Sequence, residues 1–165
     1  MAPITSTTSG FFYVPPSVSP PMLPVPGTTC TVANDGRLYS EDHIWVKTLP
    51  DNMAVLGLTA TMVEIISEPS NITLPAGGSL LASGDDFGTV SGFKMTADII
   101  TPVSGTVVQI NNLILSQAGR GPVMVVLNDD PFNGGWLIAV QLSQPDELKS
   151  LMSAQAYLKL VSTGK

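Results

Sequence analysis

Residues 87–108 have the most informative pattern in the chain and read Phe87-Gly88-Thr89-Val90-Ser91-Gly92-Phe93-Lys94-Met95-Thr96-Ala97-Asp98-Ile99-Ile100-Thr101-Pro102-Val103-Ser104-Gly105-Thr106-Val107-Val108. Gly-Thr-Val occurs twice in it, at 88–90 and at 105–107, and apolar residues alternate with polar ones on either side of a single lysine. This alternation predicts two β-strands, the second continuing to residue 110, and the polar residues between them predict a tight turn. Lys94 therefore lies at the tip of a hairpin with its amine exposed, as a carrier protein needs for a cofactor attached to a side chain.

Further elements are predicted on both sides of this hairpin. Five short apolar runs bounded by turn residues predict strands: 43–46, 53–58, 62–66, 123–127 and 136–142. The last residues change to helical spacing, with Ser143 as the expected N-cap of one helix and Ser153 as that of a second, short one. The sequence therefore predicts a mostly β fold with short C-terminal helices.

Residues 1–36 differ in composition from the rest of the chain. They hold seven of the fourteen prolines and a single charged residue, Asp35. Proline is excluded from helix interiors and central strands, so we expect an extended, Pro-rich N-terminal arm followed by one domain over 37–165. The apolar run at 11–14 leaves open the alternative that this arm packs on a partner.

Composition excludes several classes of function. A net charge of −6 argues against a nucleic-acid-binding protein, because such proteins need a basic face. No apolar run approaches the roughly 20 residues of a membrane span, and no secretory signal is expected. Only 12% of residues are charged, against about 25% in an average domain. This leaves two interpretations, a surface of Ser, Thr and Asn or a surface largely covered by partners.

No catalytic or metal site is predicted from the residue types. Cys30 is the only cysteine, so neither an internal disulfide nor a zinc site built on a cysteine pair is possible. His43 is the only histidine, and packing beside Trp45 is a simpler interpretation of it than catalysis. The acidic pairs at 85–86 and 129–130 lack a second group with which to form an acid–base pair. We therefore expect no enzyme activity from the chain by itself.

Several motifs nevertheless occur in the order and spacing of one known family. They are 37–46 (RLYSEDHIWV), 87–90 (FGTV) with Lys94 and 102–105 (PVSG), 111–112 (NN), 130–138 (DPFNGGWLI), and 142–148 (LSQPDEL) with 154–157 (AQAY). Through them the chain, from residue 37 to about 160, resembles the H-protein family of the glycine cleavage system, which are lipoyl carriers.

The resemblance implies a fold, a cofactor and partners. The fold is a barrel-sandwich hybrid, with a lipoyl group amide-linked to the hairpin lysine, here Lys94, and with His43 near the attachment face. The carrier would take an aminomethyl group from glycine decarboxylase to a tetrahydrofolate-dependent aminomethyltransferase and be reoxidised by dihydrolipoamide dehydrogenase. A related variant would serve another lipoate-dependent pathway. The expected compartment is the cytoplasm for a bacterial protein and the mitochondrial matrix for a eukaryotic one.

The chain also departs from the family pattern. The family usually has a glutamate three residues before the lysine, which helps attaching enzymes recognise the turn, and Ser91 stands there instead. With the low charge and the apolar arm, this keeps an alternative open: a structural or adaptor subunit that contacts a larger assembly through residues 1–36, with Lys94 unmodified. A biotin carrier is a third alternative, because Met95 follows the lysine, but Phe93 precedes it and the flanking motifs match the H-protein family better.

Overall fold

The computed structural model describes residues 13–16 and 18–163, and antiparallel strands dominate them. The strands are β1 (Met22–Pro24), β2 (Thr31–Ala33), β3 (Leu38–Tyr39), β4 (Ile44–Leu49), β5 (Met53–Leu58), β6 (Asn71–Ile72), β7 (Leu80–Leu81), β8 (Asp86–Ser91), β9 (Thr96–Ile100), β10 (Gly105–Ile110) and β11 (Ile138–Leu142). The helices are α1 (Ala60–Ile66), α2 (Asn112–Gln117), α3 (Val125–Asp129), a 3₁₀ helix (Pro145–Ser150) and α4 (Ala154–Thr163). No helix in these two ranges has the length and apolar character that crossing a membrane requires.

The strands form three sheets. The large sheet has six strands in the order β3-β4-β5-β11-β10-β7, the small sheet has the order β6-β8-β9, and β1 pairs with β2 alone. The predicted hairpin around Lys94 is β8 and β9, which pair in antiparallel register with Ser91 opposite Thr96. The strand predicted to continue to residue 110 is in fact two strands, because the chain leaves the small sheet after Ile100 and enters the large sheet as β10.

The main core lies between the large and the small sheet. Val46, Leu56 and Val140 of the large sheet belong to the same buried cluster as Val90 and Ile99 of the small sheet. Burying a side chain of this size contributes about 1.5–3 kcal/mol. The mostly β prediction is therefore confirmed, with two sheets packed around this main core.

A second cluster covers the outer face of the large sheet. Trp45, Val55 and Ala139 point to this face and are buried under side chains that include Val25 and Val32. As a result β5 is buried on both faces along its whole length. Residues that the sequence predicts to be an extended arm thus form the β1–β2 hairpin and pack on the chain's own sheet. The domain boundary at residue 37 stays a prediction.

The predicted strand at 62–66 is wrong, because these residues belong to helix α1. The Thr59 side chain accepts a hydrogen bond from the Met62 backbone N–H at 3.2 Å and so caps the start of the helix. Met62, Val63 and Ile66 then form its buried face at helical spacing. The predicted strand at 123–127 is also wrong, since it overlaps α3, a helix of five residues in which Leu127 is buried.

Of the two predicted helix caps near the C-terminus, Ser143 is wrong and Ser153 is confirmed. The 3₁₀ helix has Gln144 rather than Ser143 as its N-cap, and no side-chain hydrogen bond caps its first turn. Ser143 is therefore not a cap. The hydroxyl of Ser153 accepts from the backbone N–H of Ala156 at 3.1 Å, as the predicted cap of α4 requires.

Candidate functional site

Lys94 is exposed in the turn between β8 and β9. The turn is closed by a hydrogen bond from the backbone N–H of Gly92 to the carbonyl of Met95, at 2.9 Å. The side chains on either side of the lysine are exposed as well, Phe93 by 82% and Met95 by 44%. Among the described residues, no side chain forms a hydrogen bond or an ion pair with the Lys94 ammonium group. The amine is therefore accessible for acylation.

The backbone of this turn is fixed to the C-terminal end of helix α1. The N–H of Phe93 donates to the carbonyl of Ser67 at 2.6 Å, and the N–H of Lys94 donates to the carbonyl of Ile66 at 3.0 Å. The last carbonyls of a helix have no partner within it, so these bonds satisfy two groups that would otherwise need water. The lysine thus extends from a turn that is anchored at its base.

Ser91, which stands where the family usually has a glutamate, is half-buried. Its hydroxyl lies 3.0 Å from that of Thr96 on the opposite strand, and its carbonyl accepts from the backbone N–H of Ser70 at 2.8 Å. The position therefore carries a neutral cross-strand hydroxyl pair. An enzyme that attaches a group to Lys94 finds no carboxylate at residue 91.

His43 lies in a hydrogen-bonded row with two other side chains. Its Nδ1 is 2.7 Å from the Tyr157 hydroxyl, which is 2.8 Å from the Thr59 hydroxyl. Burial lowers the pKa of His43 and raises that of Tyr157 to about 12. Both groups are thus neutral near pH 7, and the Tyr157 hydroxyl joins Nδ1 of His43 to the Thr59 hydroxyl, with the direction of both bonds set by the imidazole tautomer. The ring of Tyr157 also stacks on Tyr39, with the centroids 4.7 Å apart.

His43 and Lys94 lie at opposite ends of α1. The carbonyl of His43 accepts from the N–H of Thr59, just before the helix, at 3.1 Å, whereas Lys94 bonds to Ile66, its last residue. The seven residues of α1 extend about 10 Å at the usual helical rise. The two residues are therefore near one helix without touching, and a cofactor-binding role for His43 stays a prediction.

The remaining candidates have structural roles. The carboxylate of Asp130 accepts from the N–H of Gly134 at 2.9 Å, and that of Asp85 accepts from the N–H of Ala82 at 3.0 Å, so both stabilise turns. Cys30 is buried, and burial raises the pKa of its thiol. Within the part of the chain that the structure describes, no three His, Cys, Asp or Glu side chains are grouped to hold a metal ion.

Sequence reasoning missed two features of this site. One is the end of α1 that holds the turn, for which Gly92, two residues before the lysine and directly after β8, was an available signal, since glycine next to a strand can mark a close approach of another backbone segment. The other is the row formed by Thr59, Tyr157 and His43. Its members lie far apart in the sequence, and no local pattern connects them.

Comparisons with known proteins agree on one family. The family model described as "Glycine cleavage H-protein" matches residues 37–164. The glycine cleavage system H protein of Coprothermobacter proteolyticus is 32% identical over 127 residues, covering 77% of this chain and 95% of that protein. The mitochondrial H protein of Pisum sativum is 33% identical over 125 residues, covering 76% of this chain and 72% of that protein. The crystal structure of the H protein from Mycobacterium marinum has a TM-score of 0.65 at 27% identity, covering 79% of this chain and 98% of that one. The likeness to this structure confirms the predicted barrel-sandwich fold.

Proposed function

The chain belongs to the glycine cleavage H-protein family, and from this premise we propose that Lys94 is the attachment residue for a lipoyl group. The family is one of lipoyl carriers that are not themselves enzymes. We propose further that the protein carries aminomethyl groups on this lipoyl-lysine, between glycine decarboxylase and aminomethyltransferase.

The observation that supports the proposal most directly is the state of the Lys94 side chain. It is exposed at the tip of a hairpin, and no described side chain pairs with its ammonium group. An amide bond at Nζ therefore requires no buried group to move and no ion pair to break. In this respect the residues present fit a covalently attached lipoyl group.

The chemistry that a bound lipoyl group supplies is the reversible opening of a disulfide ring and the capture of the aminomethyl unit left by glycine decarboxylation. The protein contributes position. The bonds from Phe93 and Lys94 to the end of α1 fix the base of the tether, while the side chain of Lys94 remains free to move. A tether with a fixed base raises the effective concentration of its free end near a docked enzyme.

Three partners follow from this proposal. They are glycine decarboxylase, the aminomethyltransferase and dihydrolipoamide dehydrogenase, each of which must reach the same hairpin tip. The alternative of a structural adaptor is not favoured, because the arm residues that the structure describes, including Tyr13, Val25 and Val32, pack on the chain's own sheet.

The test is the intact mass of the protein from its native source, with the peptide that contains Lys94 sequenced. We expect one lipoyl group on Lys94, absent from Lys94→Arg and retained in the control Lys149→Arg, since Lys149 is also highly exposed. Modification that persists in Lys94→Arg would contradict the assignment. An unmodified Lys94 in lipoate-replete cells would contradict the carrier function.

The shuttling step needs a second measurement. Purified lipoylated protein is mixed with glycine decarboxylase and glycine, and the mass of the Lys94 peptide is followed. We expect the added mass of one aminomethyl group in the modified protein and none in Lys94→Arg. A lipoylated carrier that never gains this mass would belong to another lipoate-dependent pathway.

A further inference from the structure

We propose that Gly92 is a positioning residue for the acylation of Lys94, because its missing side chain allows the turn to dock on the C-terminal end of α1. The inference rests on the proposed function, since it concerns how the lysine is presented to the enzyme that modifies it. It goes beyond that function by assigning a task to a residue that does not itself carry the attached group.

The steric argument concerns two backbone atoms. A Cβ added to Gly92 would lie 2.6 Å from the carbonyl oxygen of Ile66 and closer still to that of Ser67. Both oxygens belong to the helix terminus, so neither can move aside like the end of a flexible side chain. Gly92 does not have a positive φ. Alanine can therefore adopt its backbone conformation, and the close approach alone requires glycine.

The helix end is held in the orientation that receives the turn. Ser67 has a φ of 62° and Glu68 a φ of 50°, so the chain leaves α1 through two successive left-handed residues, neither of them glycine. Such conformations are costly for these residues and occur often at functional sites. They coincide here with the carbonyls of Ile66 and Ser67 that accept hydrogen bonds from the turn. The buried face of α1 fixes the helix itself to the core.

The docking restricts how the lysine leaves the protein. Two successive N–H groups, those of Phe93 and Lys94, are bound to one helix end, so the peptide that carries the Lys94 side chain has a single orientation. A turn with an added Cβ at residue 92 must lift off α1 and lose one or both bonds. The side chain would then start from several orientations, and fewer encounters with an enzyme would be productive.

The affected step is formation of the amide. The neutral amine of Lys94 attacks the acyl carbon of an activated donor, an acyl adenylate. The C–N bond forms, the bond from the acyl carbon to the phosphate oxygen breaks, and the nucleoside monophosphate leaves. One proton passes from the nitrogen to solvent, and no electron is transferred. The docking changes only the approach of the amine, since Lys94 has no side-chain partner among the described residues.

The experiment compares Gly92→Ala with the control Gly77→Ala, because a Cβ at Gly77 meets nothing within 4 Å. Acylation is followed with lipoate, ATP and a purified lipoate-attaching enzyme. We expect kcat/KM to fall on the order of tenfold to a hundredfold in Gly92→Ala, and to be unchanged in the control. Hydrogen exchange of the Phe93 and Lys94 amides should quicken in the same variant. Acetylation of Lys94 by a small activated ester should not change, because the amine stays exposed.

The outcomes separate the inference from the proposed function. Normal acylation of Gly92→Ala beside a normally acylated wild type would overturn the positioning role alone. A wild type that is never acylated would overturn the carrier function and the inference with it. Should Gly92→Ala fail to fold, Phe93→Pro compared with Phe93→Ser gives the second test, because both variants lack the ring and only proline lacks the N–H that donates to the Ser67 carbonyl. Acylation of Phe93→Pro should be slower than that of Phe93→Ser, and equal rates would count against the inference.

Discussion

Among single residues, His43 is the one whose protonation state affects the stability of the fold. Its side chain lies in a hydrogen-bonded row with Tyr157 and Thr59. Thr59 accepts from the N–H of Met62 and keeps both a proton and a second lone pair for Tyr157. Tyr157 can donate to Nδ1 only while Nδ1 of the neutral imidazole carries no proton. Once His43 is protonated, Tyr157 accepts from Nδ1 and donates to Thr59, so both hydrogen bonds of the row persist. The pKa of His43 is lowered because burial disfavours the charged imidazolium.

This row predicts a pH dependence of stability. The pKa of His43 lies below its usual 6.5 in the folded protein, so the unfolded chain binds more protons between the two values. The free energy of unfolding should hence be constant above about pH 6.5, fall as the pH decreases below it, and level off below the folded pKa. The measurement is urea denaturation between pH 5 and 8, values that bracket the usual pKa by about one and a half units.

The matched variant for this prediction is His43→Asn. Without the imidazole, the slope that begins near pH 6.5 should disappear, whereas the slope at lower pH from carboxyl groups such as Asp35 should remain, since the Arg37 side chain lowers the Asp35 pKa. An identical slope in wild type and variant would show that His43 does not set this dependence.

Phe93 gives a second prediction at this scale. It is 82% exposed, so Phe93→Ser should leave the free energy of unfolding within about 0.5 kcal/mol of wild type. An enzyme that acylates Lys94 must contact its neighbours, and an exposed aromatic ring is an apolar contact for it. We therefore expect a higher KM for the carrier in lipoate attachment, measured by initial rates.

Val125→Ser is the control, because Val125 is 56% exposed but lies in α3. Equal KM values in the two variants would refute the role of Phe93.

At the scale of elements, α1 joins the two parts of the site. Its N-terminal end is capped by Thr59, which also bonds to Tyr157, and its C-terminal end receives the turn that carries Lys94. Thr59 thus contributes both to the start of the helix and to the row with Tyr157. This makes the N-cap the most informative position in the helix.

Thr59→Ala should destabilise the protein by about 1–2 kcal/mol, because it removes both the cap and the bond to Tyr157. Thr59→Ser keeps the hydroxyl and should recover most of the loss, while Thr48→Ala, at an exposed position in β4, should have little effect. Urea denaturation at pH 7 measures all three. A Thr59→Ala variant as stable as wild type would show that neither bond contributes.

The elements also show how far local sequence signals extend. The β8–β9 hairpin, strand β5 and the Ser153 cap follow from patterns within about ten residues, and they were predictable. Helix α1 was not, because a short apolar run such as 62–66 fits a strand and a buried helix equally well. The Thr59 cap was the signal that distinguishes them.

The other features that were not predicted are contacts between elements and changes of sheet, which local sequence patterns do not determine. Apolar alternation through Thr101 predicted one long strand, yet Pro102 and the bond from the Thr101 hydroxyl to the Val103 carbonyl, 2.7 Å, form a turn that transfers the chain to another sheet. Likewise the position of Lys94 at a tip was predictable, but its bond to Ile66 joins residues on different elements. Which surfaces meet depends on the packing of the whole core.

In the molecule as a whole, the N-terminal arm covers the outer face of the large sheet. Arg37 marks where it joins the domain: its guanidinium is buried, bonds to Asp35 at 2.7 Å and to the carbonyl of Phe132 at 2.7 Å, and lies 4.6 Å from the Trp45 ring. The sheet face is thus covered from within the chain. The low fraction of charged residues left open that much of the surface is covered by partners. On this face of the large sheet, the chain's own arm provides the cover.

Tyr13 is the residue through which this cover can be tested. Its side chain is only 8% exposed and packs edge-on against Trp136, with the ring centroids 5.2 Å apart. Its backbone N–H and carbonyl form hydrogen bonds with the Gln109 side chain at 2.6 and 3.1 Å, and Tyr13→Ala retains these groups. Tyr13→Ala should cost about 2–4 kcal/mol, somewhat below a fully buried aromatic residue. Trp136, now 4% exposed, should become accessible, so the fluorescence should shift to the red and iodide should quench it more strongly.

The control is Val14→Ala, because Val14 follows Tyr13 directly and is 65% exposed. It should change neither the stability nor the fluorescence, since surface substitutions usually stay within about 0.5 kcal/mol. Acylation of Lys94 should be the same in both variants, because the arm covers the outer face of the large sheet while Lys94 extends from the small sheet. A Tyr13→Ala protein with a normal spectrum would mean that the arm does not shield Trp136. Slow acylation in that protein would instead mean that the arm and the hairpin are coupled through the core.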